Sequence, residues 1–421
     1  MKKLLQVKEF ETITYNEAYR EKKGFHYLPE ADFKAFIKFV YQEEDSLSFV
    51  KIFYLKNVGE VVTIRNYVGC IQMKNGLQME ILPKINLTNG KDLDYEQTKK
   101  IFLKMLCSMK DFSGKTFNEA NLKIDEMNLY EVFIHMYLKE VQILLKKGVK
   151  SSYITKEENQ KCCKGRLLVS KQLKENLFHK EKFYVKFDEF QLNCPENRLI
   201  KATLEKFLSI TTLQEHVIKK LLIQLNFVEA STNYQKDFSM VSLDRSTKDY
   251  QKIMEWSKVF LMNKSFSVFS GNTASRAILF PMERVYESYV ARQIKKVFSK
   301  DGWEVKFQKS EQYLFVRPTP KFALKPDIIL QKENTTILMD TKWKNLTKKK
   351  ESYGMIQSDL YQMYTYSKKY HATHVFLLYP MSEEISDFIS FESGDGTIIH
   401  IYCIDLSQVE KSLKELKDMI K

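Results

Sequence analysis

Two acids and a lysine in the stretch KPDIILQKENTTILMDTKWK, residues 325–344, could form a centre that hydrolyses phosphodiesters. Asp327 precedes a short apolar run, and Asp340 and Lys342 follow a second one. Two carboxylates held close together repel each other unless a cation lies between them, and carboxylate oxygens suit a Mg²⁺ ion that keeps several waters. Such a metal polarises a phosphoryl oxygen and helps deprotonate water, while a lysine orients that water or neutralises developing charge. The alternative interpretation is an edge hairpin with solvated charges at its ends.

A β-hairpin would bring the two acids together. Its strands would be the apolar runs 328–330 and 336–339, which are rich in β-branched and aliphatic residues. The residues between these runs have turn chemistry, and a turn centred on Glu333-Asn334 places Asp327 opposite Asp340. We therefore expect the two backbones to lie roughly 5 Å apart at these positions.

Side-chain alternation along the second strand positions the lysine. Asp340 and Lys342 are expected on one face, and Thr341 is expected to point away from it. Two carboxylates and an ammonium would then converge at one end of the hairpin.

Two amphipathic helices are predicted to flank the hairpin, over residues 280–296, opened by Pro281, and 355–369. Residues four apart share a helix face, and each helix carries one pair of candidate residues at that spacing. These are Glu283 and Glu287 in the first helix, and Gln362 and Tyr366 in the second. Their alternative roles are a solvated helix face for the acids, an exposed glutamine, and a core aromatic.

Length and composition predict a multidomain α/β (α+β) protein. The 421 residues suffice for two or three domains, and the formal charge of +14 favours a polyanionic partner such as nucleic acid, although a lysine-rich genome could produce part of that excess. We expect a β-rich barrel or sandwich over 1–91, a mainly helical region over 92–268, and a mixed-sheet domain over 269–421. Within the middle region, residues 153–166 are interpreted as a shorter polar segment that leads into 167–169.

Several other classes of site are excluded by spacing. Ser113-Gly114-Lys115-Thr116 resembles the end of a phosphate-binding loop, but position 109 is Met where that motif needs glycine, so we reject nucleotide binding by this chain. The seven histidines show neither HExxH nor a Cys/His zinc spacing. The six cysteines form no CxxC pair and are predicted to be free thiols, and no segment is long and apolar enough for a membrane span, so we expect a cytoplasmic protein.

A glutamate-bearing helix, an Asp-x-Lys strand and a trailing Gln-x-x-x-Tyr follow one another in the order typical of PD-(D/E)xK nucleases. The chain also resembles the McrC family, the endonuclease subunits of McrBC-type restriction systems. That resemblance rests on Tyr67–Ile71 with residues 77–85, Gly165–Leu167, Pro195–Lys201, Pro281–Val290 and Asp359–Tyr364. It therefore spans most of the chain.

The resemblance implies roles for the candidate residues. Asp327, Asp340 and Glu287 would be metal ligands for Mg²⁺, with Mn²⁺ as the alternative ion, and Lys342 would be the catalytic lysine. Glu283 is the fallback for Glu287, since this chain has a tyrosine where the family commonly has phenylalanine before the acid. The pair Gln362 and Tyr366 would position the lysine, the metal-bound water or the DNA backbone.

The resemblance also implies partners. These are a AAA+ GTPase hexamer like McrB, which would bind the GTP, and double-stranded DNA, with no membrane. The first two regions would dock on the motor and the third would cut, with two copies in the active assembly because double-strand cutting needs two centres. Two alternatives stay open: a non-catalytic DNA-binding adaptor that regulates the motor, and a stand-alone repair nuclease that degrades DNA ends without motor or GTP.

Overall fold

The structure is a computed structural model that describes residues 3–42, 49–73, 75–86, 93–109, 127–242, 248–262, 276–382, 384–385 and 388–420. The rejected phosphate-loop stretch 113–116 lies outside the described residues. Helices and sheets of mixed direction alternate along the chain, so the predicted α/β fold class is confirmed.

Contacts divide the chain into two units, one formed by Met1–Glu126 with Ser265–Lys421 and the other by Met127–Lys264. This division differs from the three predicted regions, because the first and last of them share one unit. The two parts are linked because residues 276–281, which follow the middle region in the chain, form a strand of an N-terminal sheet.

The N-terminal part of the first unit contains two four-stranded sheets. Their strand orders are β1-β7-β6-β11 and β3-β2-β5-β4. The elements are β1 (Lys3–Lys8), β2 (Thr12–Thr14), β3 (Phe25–Tyr27), α1 (Glu30–Gln42), β4 (Val50–Leu55), β5 (Gly59–Ile64), β6 (Tyr67–Gln72), β7 (Leu77–Leu82), α2 (Tyr95–Leu106) and, from much later in the chain, β11 (Arg276–Pro281).

Strand β11 pairs antiparallel with β6, from Arg276 opposite Gln72 to Pro281 opposite Tyr67. Gly69 permits this close approach, since a Cβ there would lie 2.0 Å from the Ile278 carbonyl oxygen. Pro281 therefore ends a strand and caps the following helix, whereas the sequence predicted that it lies in the helix.

The C-terminal part of the first unit is built on a six-stranded sheet with strand order β12-β15-β16-β17-β19-β18. Strands β15 and β16 form an antiparallel hairpin, and β16 runs parallel to β17. The elements are α9 (Met282–Phe298), β12 (Glu304–Phe307), β13 (Gln312–Phe315), β14 (Lys321–Leu324), β15 (Ile328–Lys332), β16 (Thr335–Thr341), α10 (Gln357–Tyr370), β17 (His374–Pro380), β18 (Ile389–Glu392), β19 (Ile398–Ile404) and α11 (Val409–Ile420).

The second unit combines helices with a three-stranded sheet of order β8-β10-β9. The polar segment 153–166 contains most of a strand that the sequence did not reveal, since β8 pairs with β10 along its whole length. Most β8 side chains lie at the surface, so the strand lacks the apolar alternation that sequence reading requires. The elements are α3 (Leu129–Lys147), β8 (Ser152–Gln160), β9 (Arg166–Leu167), α4 (Val169–Glu175), β10 (Phe183–Gln191), α5 (Pro195–Leu208), α6 (Glu215–Gln224), α7 (Tyr234–Met240) and α8 (Lys248–Met262).

All six cysteines are free, as predicted. Within the described ranges, no helix has both the length and the apolar character needed to cross a bilayer.

A buried carboxyl group connects the N-terminal sheet to the C-terminal one. Glu9, just after β1, is fully buried and accepts a hydrogen bond of 3.1 Å from the Trp343 indole nitrogen. Trp343 follows β16 and packs against Tyr286 of α9, with ring centroids 5.3 Å apart. Burial raises the pKa of Glu9 to about 8, so this carboxyl is protonated at neutral pH.

We predict that this carboxyl makes the stability of the first unit fall as pH rises. The unfolded chain loses the Glu9 proton near its ordinary pKa of 4.5, whereas the folded chain keeps it until about pH 8. The free energy of unfolding should therefore fall between these values, by at most about 1.4 kcal/mol per pH unit. Glu9→Gln keeps the shape of the side chain but removes its titratable proton. The free energies of unfolding of wild type and variant, measured by denaturant unfolding, should therefore diverge between pH 5 and pH 8. Parallel pH profiles of the two proteins would contradict the assignment.

Candidate active site

The hairpin of β15 and β16 has the predicted register. Ile328 pairs with Met339, and Lys332 pairs with Thr335 across the two-residue turn. Asp327 precedes the first pair and Asp340 follows its partner, so the two carboxylates flank one end of the hairpin. Asp340 is 2% exposed, so its carboxylate is buried.

Lys342 forms an ion pair with Asp340. Its Nζ lies 2.6 Å from Asp340 Oδ2 and 3.9 Å from an oxygen of Asp359 in α10. The Lys342 backbone nitrogen donates to the Leu378 carbonyl oxygen of β17 at 2.9 Å, which fixes the residue just beyond its strand. Asp359 was not among the predicted site residues, because the sequence does not show that the start of α10 faces the end of β16.

Thr341 forms hydrogen bonds with the other acid, Asp327. Its backbone nitrogen and its hydroxyl both donate to Asp327 Oδ2, each at 2.8 Å. Thr341 was expected only to point away from the face of Asp340 and Lys342, so its contact with Asp327 was not predicted. Asp327 precedes the first paired residue of β15, so its carboxylate is free to turn toward the Thr341 hydroxyl.

Glu287, and not Glu283, lies beside the two aspartates. The Gln308 side chain donates to Glu287 Oε1, and the Gln308 backbone nitrogen donates to the Asp327 carbonyl oxygen at 3.1 Å. Glu283 is exposed and its charge acts on Glu9 instead. Gln308 was also missed, since it lies in the loop after β12 and carries no motif.

The buried acids resist ionisation. Burial raises the pKa of Glu287 to about 7 and that of Asp340 to about 6, and the charge of Asp327 adds to both increases. Burial also raises the pKa of Asp327, although the hydrogen bonds from Thr341 oppose the rise. Burial disfavours the charged form of Lys342, but Asp340 holds the pKa of that lysine above its ordinary value.

Gln362 and Tyr366 of α10 contact each other, with the glutamine amide donating to the tyrosine hydroxyl at 2.7 Å. Tyr366 is buried in the core on this face of the sheet. Burial raises its pKa, and the charges of Asp340 and Asp327 add to the rise, so the hydroxyl lies near both acids. Tyr366 is therefore both a core aromatic and a neighbour of the acids, and Gln362 reaches the site through it.

The donor set suits a hard divalent cation held by two carboxylates. Asp340 Oδ2 is buried, and Lys342 Nζ, 2.6 Å away, is its ion-pair partner among the described residues. Within the same residues, no three His, Cys, Asp or Glu side chains are close enough together to form a preassembled metal site, and the role of Glu287 as a third ligand stays a prediction. Two carboxylates fit Mg²⁺, which retains several waters.

Comparisons with known proteins add to this geometry. A model of the family described as "McrBC 5-methylcytosine restriction system component" matches residues 62–380. The chain is similar, with a TM-score of 0.71 and 18% identity, to a chain of the refined half-complex from a tetradecameric assembly of Thermococcus gammatolerans McrB AAA+ hexamers with bound McrC. That match covers 99% of this chain and 100% of the other.

A second similarity is to a chain of the cryo-EM structure of the Thermococcus gammatolerans McrBC complex, with a TM-score of 0.49 and 20% identity. It covers 69% of this chain and 86% of that one. A comparison with curated proteins found no match.

We predict that metal affinity falls as pH falls, because a cation must displace the protons that Asp340 and Glu287 hold below about pH 6 and 7. Isothermal titration of Mn²⁺ into the full chain should show about tenfold weaker binding at pH 6 than at pH 8. Asp340→Asn should abolish most of the binding, and the matched control Glu283→Gln should leave it unchanged. Equal affinities at the two pH values would show that these acids do not hold the ion.

Proposed function

Since the chain belongs to the family of McrBC 5-methylcytosine restriction system components, we propose that it is the metal-dependent DNA endonuclease subunit of a two-component, GTP-dependent restriction system. In this proposal the C-terminal sheet and its helices form a PD-(D/E)xK nuclease centre. The observation that carries the proposal is the buried Asp340 carboxylate, which faces Lys342 and flanks the same hairpin end as Asp327.

The protein groups would act on a phosphodiester by position and charge. A Mg²⁺ ion held by Asp327 and Asp340 would supply Lewis acidity at the phosphoryl oxygen and lower the pKa of a bound water. Lys342 would neutralise charge that develops on the phosphoryl group, and Asp359 would help to hold the ammonium in place. Thr341 would keep the Asp327 carboxylate in one orientation.

Tyr366 and Gln362 would position the groups around the acids. Because the tyrosine hydroxyl accepts from Gln362, its own proton is available to donate toward the site. Its buried ring gives that hydroxyl little freedom to move. We therefore assign both residues to orienting the lysine, the attacking water or the DNA backbone.

We propose a AAA+ GTPase hexamer as the partner, since the solved structure of similar fold contains McrC bound to McrB AAA+ hexamers. Removing the first 265 residues would not isolate the nuclease region, because β6 pairs with β11 and Glu9 contacts Trp343. Docking is better tested on the second unit. There, four large apolar side chains of α4 and the residues after it are at least 59% exposed: Val169, Leu173, Leu177 and Phe178.

We predict that Asp340→Ala abolishes DNA cleavage by the complete system, with motor, GTP, Mg²⁺ and target DNA, while GTPase stimulation stays intact. The carboxylate is needed for hydrolysis and not for docking, so the two activities should separate. Loss of one catalytic carboxylate should lower the cleavage rate at least about a hundredfold. Cleavage at the wild-type rate would leave the chain as a DNA-binding adaptor, and degradation of DNA ends without motor or GTP would favour a stand-alone nuclease.

We further predict that Leu173→Glu combined with Phe178→Glu prevents stimulation of the GTPase and co-purification with the motor, since two charges would face an apolar contact. The matched control is Ile223→Glu, at an exposed apolar position of α6 in the same unit. Equal stimulation by the double variant and the control would place the docking surface elsewhere.

A further inference from the structure

A cleft of about 610 Å³ opens beside the acids, and one stripe of α9 forms its wall. The stripe consists of residues three or four positions apart, so its members share one face of the helix. They are Arg284, Glu287, Ser288, Ala291, Arg292 and Lys295. Phe307, Gln308 and Asp327 line the cleft as well, so it reaches the proposed catalytic centre.

Three cations of this stripe are available for a ligand. Arg284, Arg292 and Lys295 are exposed, and within the described residues none has an ion-pair partner within 4.0 Å. Arg292 donates one hydrogen bond to the Cys107 carbonyl oxygen at 2.8 Å, and its other guanidinium donors have no hydrogen-bond partner among the described residues. By contrast, Lys296 on the neighbouring face forms an ion pair with Glu410 of α11.

The spacing of these cations fits an extended polyanion. From Arg284 to Lys295 the helix rises about 16 Å, which is the axial length of about five nucleotides of one duplex strand. Between the cations lie Ser288 and Ala291, whose small side chains let a backbone approach the helix closely. The acids at the end of the cleft would repel an anion, so the anion must be held by the cations and by whatever ion the acids bind.

We propose that this cleft binds the phosphodiester backbone of the DNA strand that is cut, with Arg284, Arg292 and Lys295 contacting phosphates beside the scissile one. The proposal rests on the proposed nuclease function and names the surface that delivers the substrate to it. Arg292 and Lys295, at the end of the stripe away from Glu287, would contact phosphates farther from the cut, and Arg284, one turn before Glu287, a nearer one.

The test measures binding separately from cleavage. Full-length protein carrying Asp340→Asn is titrated with a fluorescein-labelled 30-base-pair DNA duplex at 50–200 mM salt. Adding Arg292→Gln and Lys295→Gln should weaken binding at least about tenfold and reduce the slope of log affinity against log salt by about 2, because two phosphate contacts are lost. Adding Lys296→Gln, the matched control on the same helix, should change neither quantity.

A steric variant provides a second readout. Ala291→Leu keeps the charge of the cleft but fills the gap between the cations, so it should weaken duplex binding while the melting temperature stays that of the parent. Unchanged affinity and salt slope in the Arg292→Gln/Lys295→Gln protein, an equal loss in the Lys296→Gln protein, or no duplex binding by the parent at 50 mM salt would overturn the proposal. If the parent and the Arg292→Gln/Lys295→Gln protein bind duplex equally well, the result would instead favour an acidic protein segment as the occupant of the cleft. The cleavage assay with Asp340→Ala fails or succeeds independently of these results.

Discussion

Repulsion between Asp327 and Asp340, held at one end of a hairpin, is the constraint on which the rest of the site depends. Burial adds to the cost of charging these groups, because it raises the pKa of both aspartates and raises the pKa of the neighbouring Glu287 to about 7. Lys342 offsets part of it through its ion pair with Asp340. In the proposed nuclease centre, a divalent cation bound between the carboxylates would relieve the rest of their repulsion.

The surrounding structure keeps this arrangement rigid. Strand β16 lies between an antiparallel and a parallel neighbour, so the residue that bears the acid is fixed from both sides. Trp343, immediately after Lys342, is buried against Tyr286 and donates a hydrogen bond to Glu9 of the N-terminal part. The N-terminal sheet is therefore part of the scaffold of the site, which explains why the two ends of the chain fold as one unit.

The sequence predicts the local features of the site well and the long-range ones poorly. The register of the hairpin follows from a two-residue turn and two apolar strands, and both are visible in a short stretch of sequence. Glu287 lies beside the two aspartates and accepts a hydrogen bond from Gln308, which lies in a loop. The sequence could not decide between Glu283 and Glu287, because that loop contact is visible only in the folded structure. Thr341 and Asp359 were missed for the same reason, and β11 could not be assigned to the N-terminal sheet because its partner β6 is about two hundred residues away. The catalytic roles of these residues stay predictions.

The most direct test of the account locates the ion itself. Crystals of the full chain soaked in MnCl₂ should show an anomalous difference peak between the carboxylates of Asp327 and Asp340, within about 2.3 Å of an oxygen of each. Lys342 should then have moved away from Asp340 Oδ2 or share that oxygen with the ion. A map without a peak at these carboxylates, with the Lys342–Asp340 ion pair unchanged, would contradict the claim that the two acids form a metal centre.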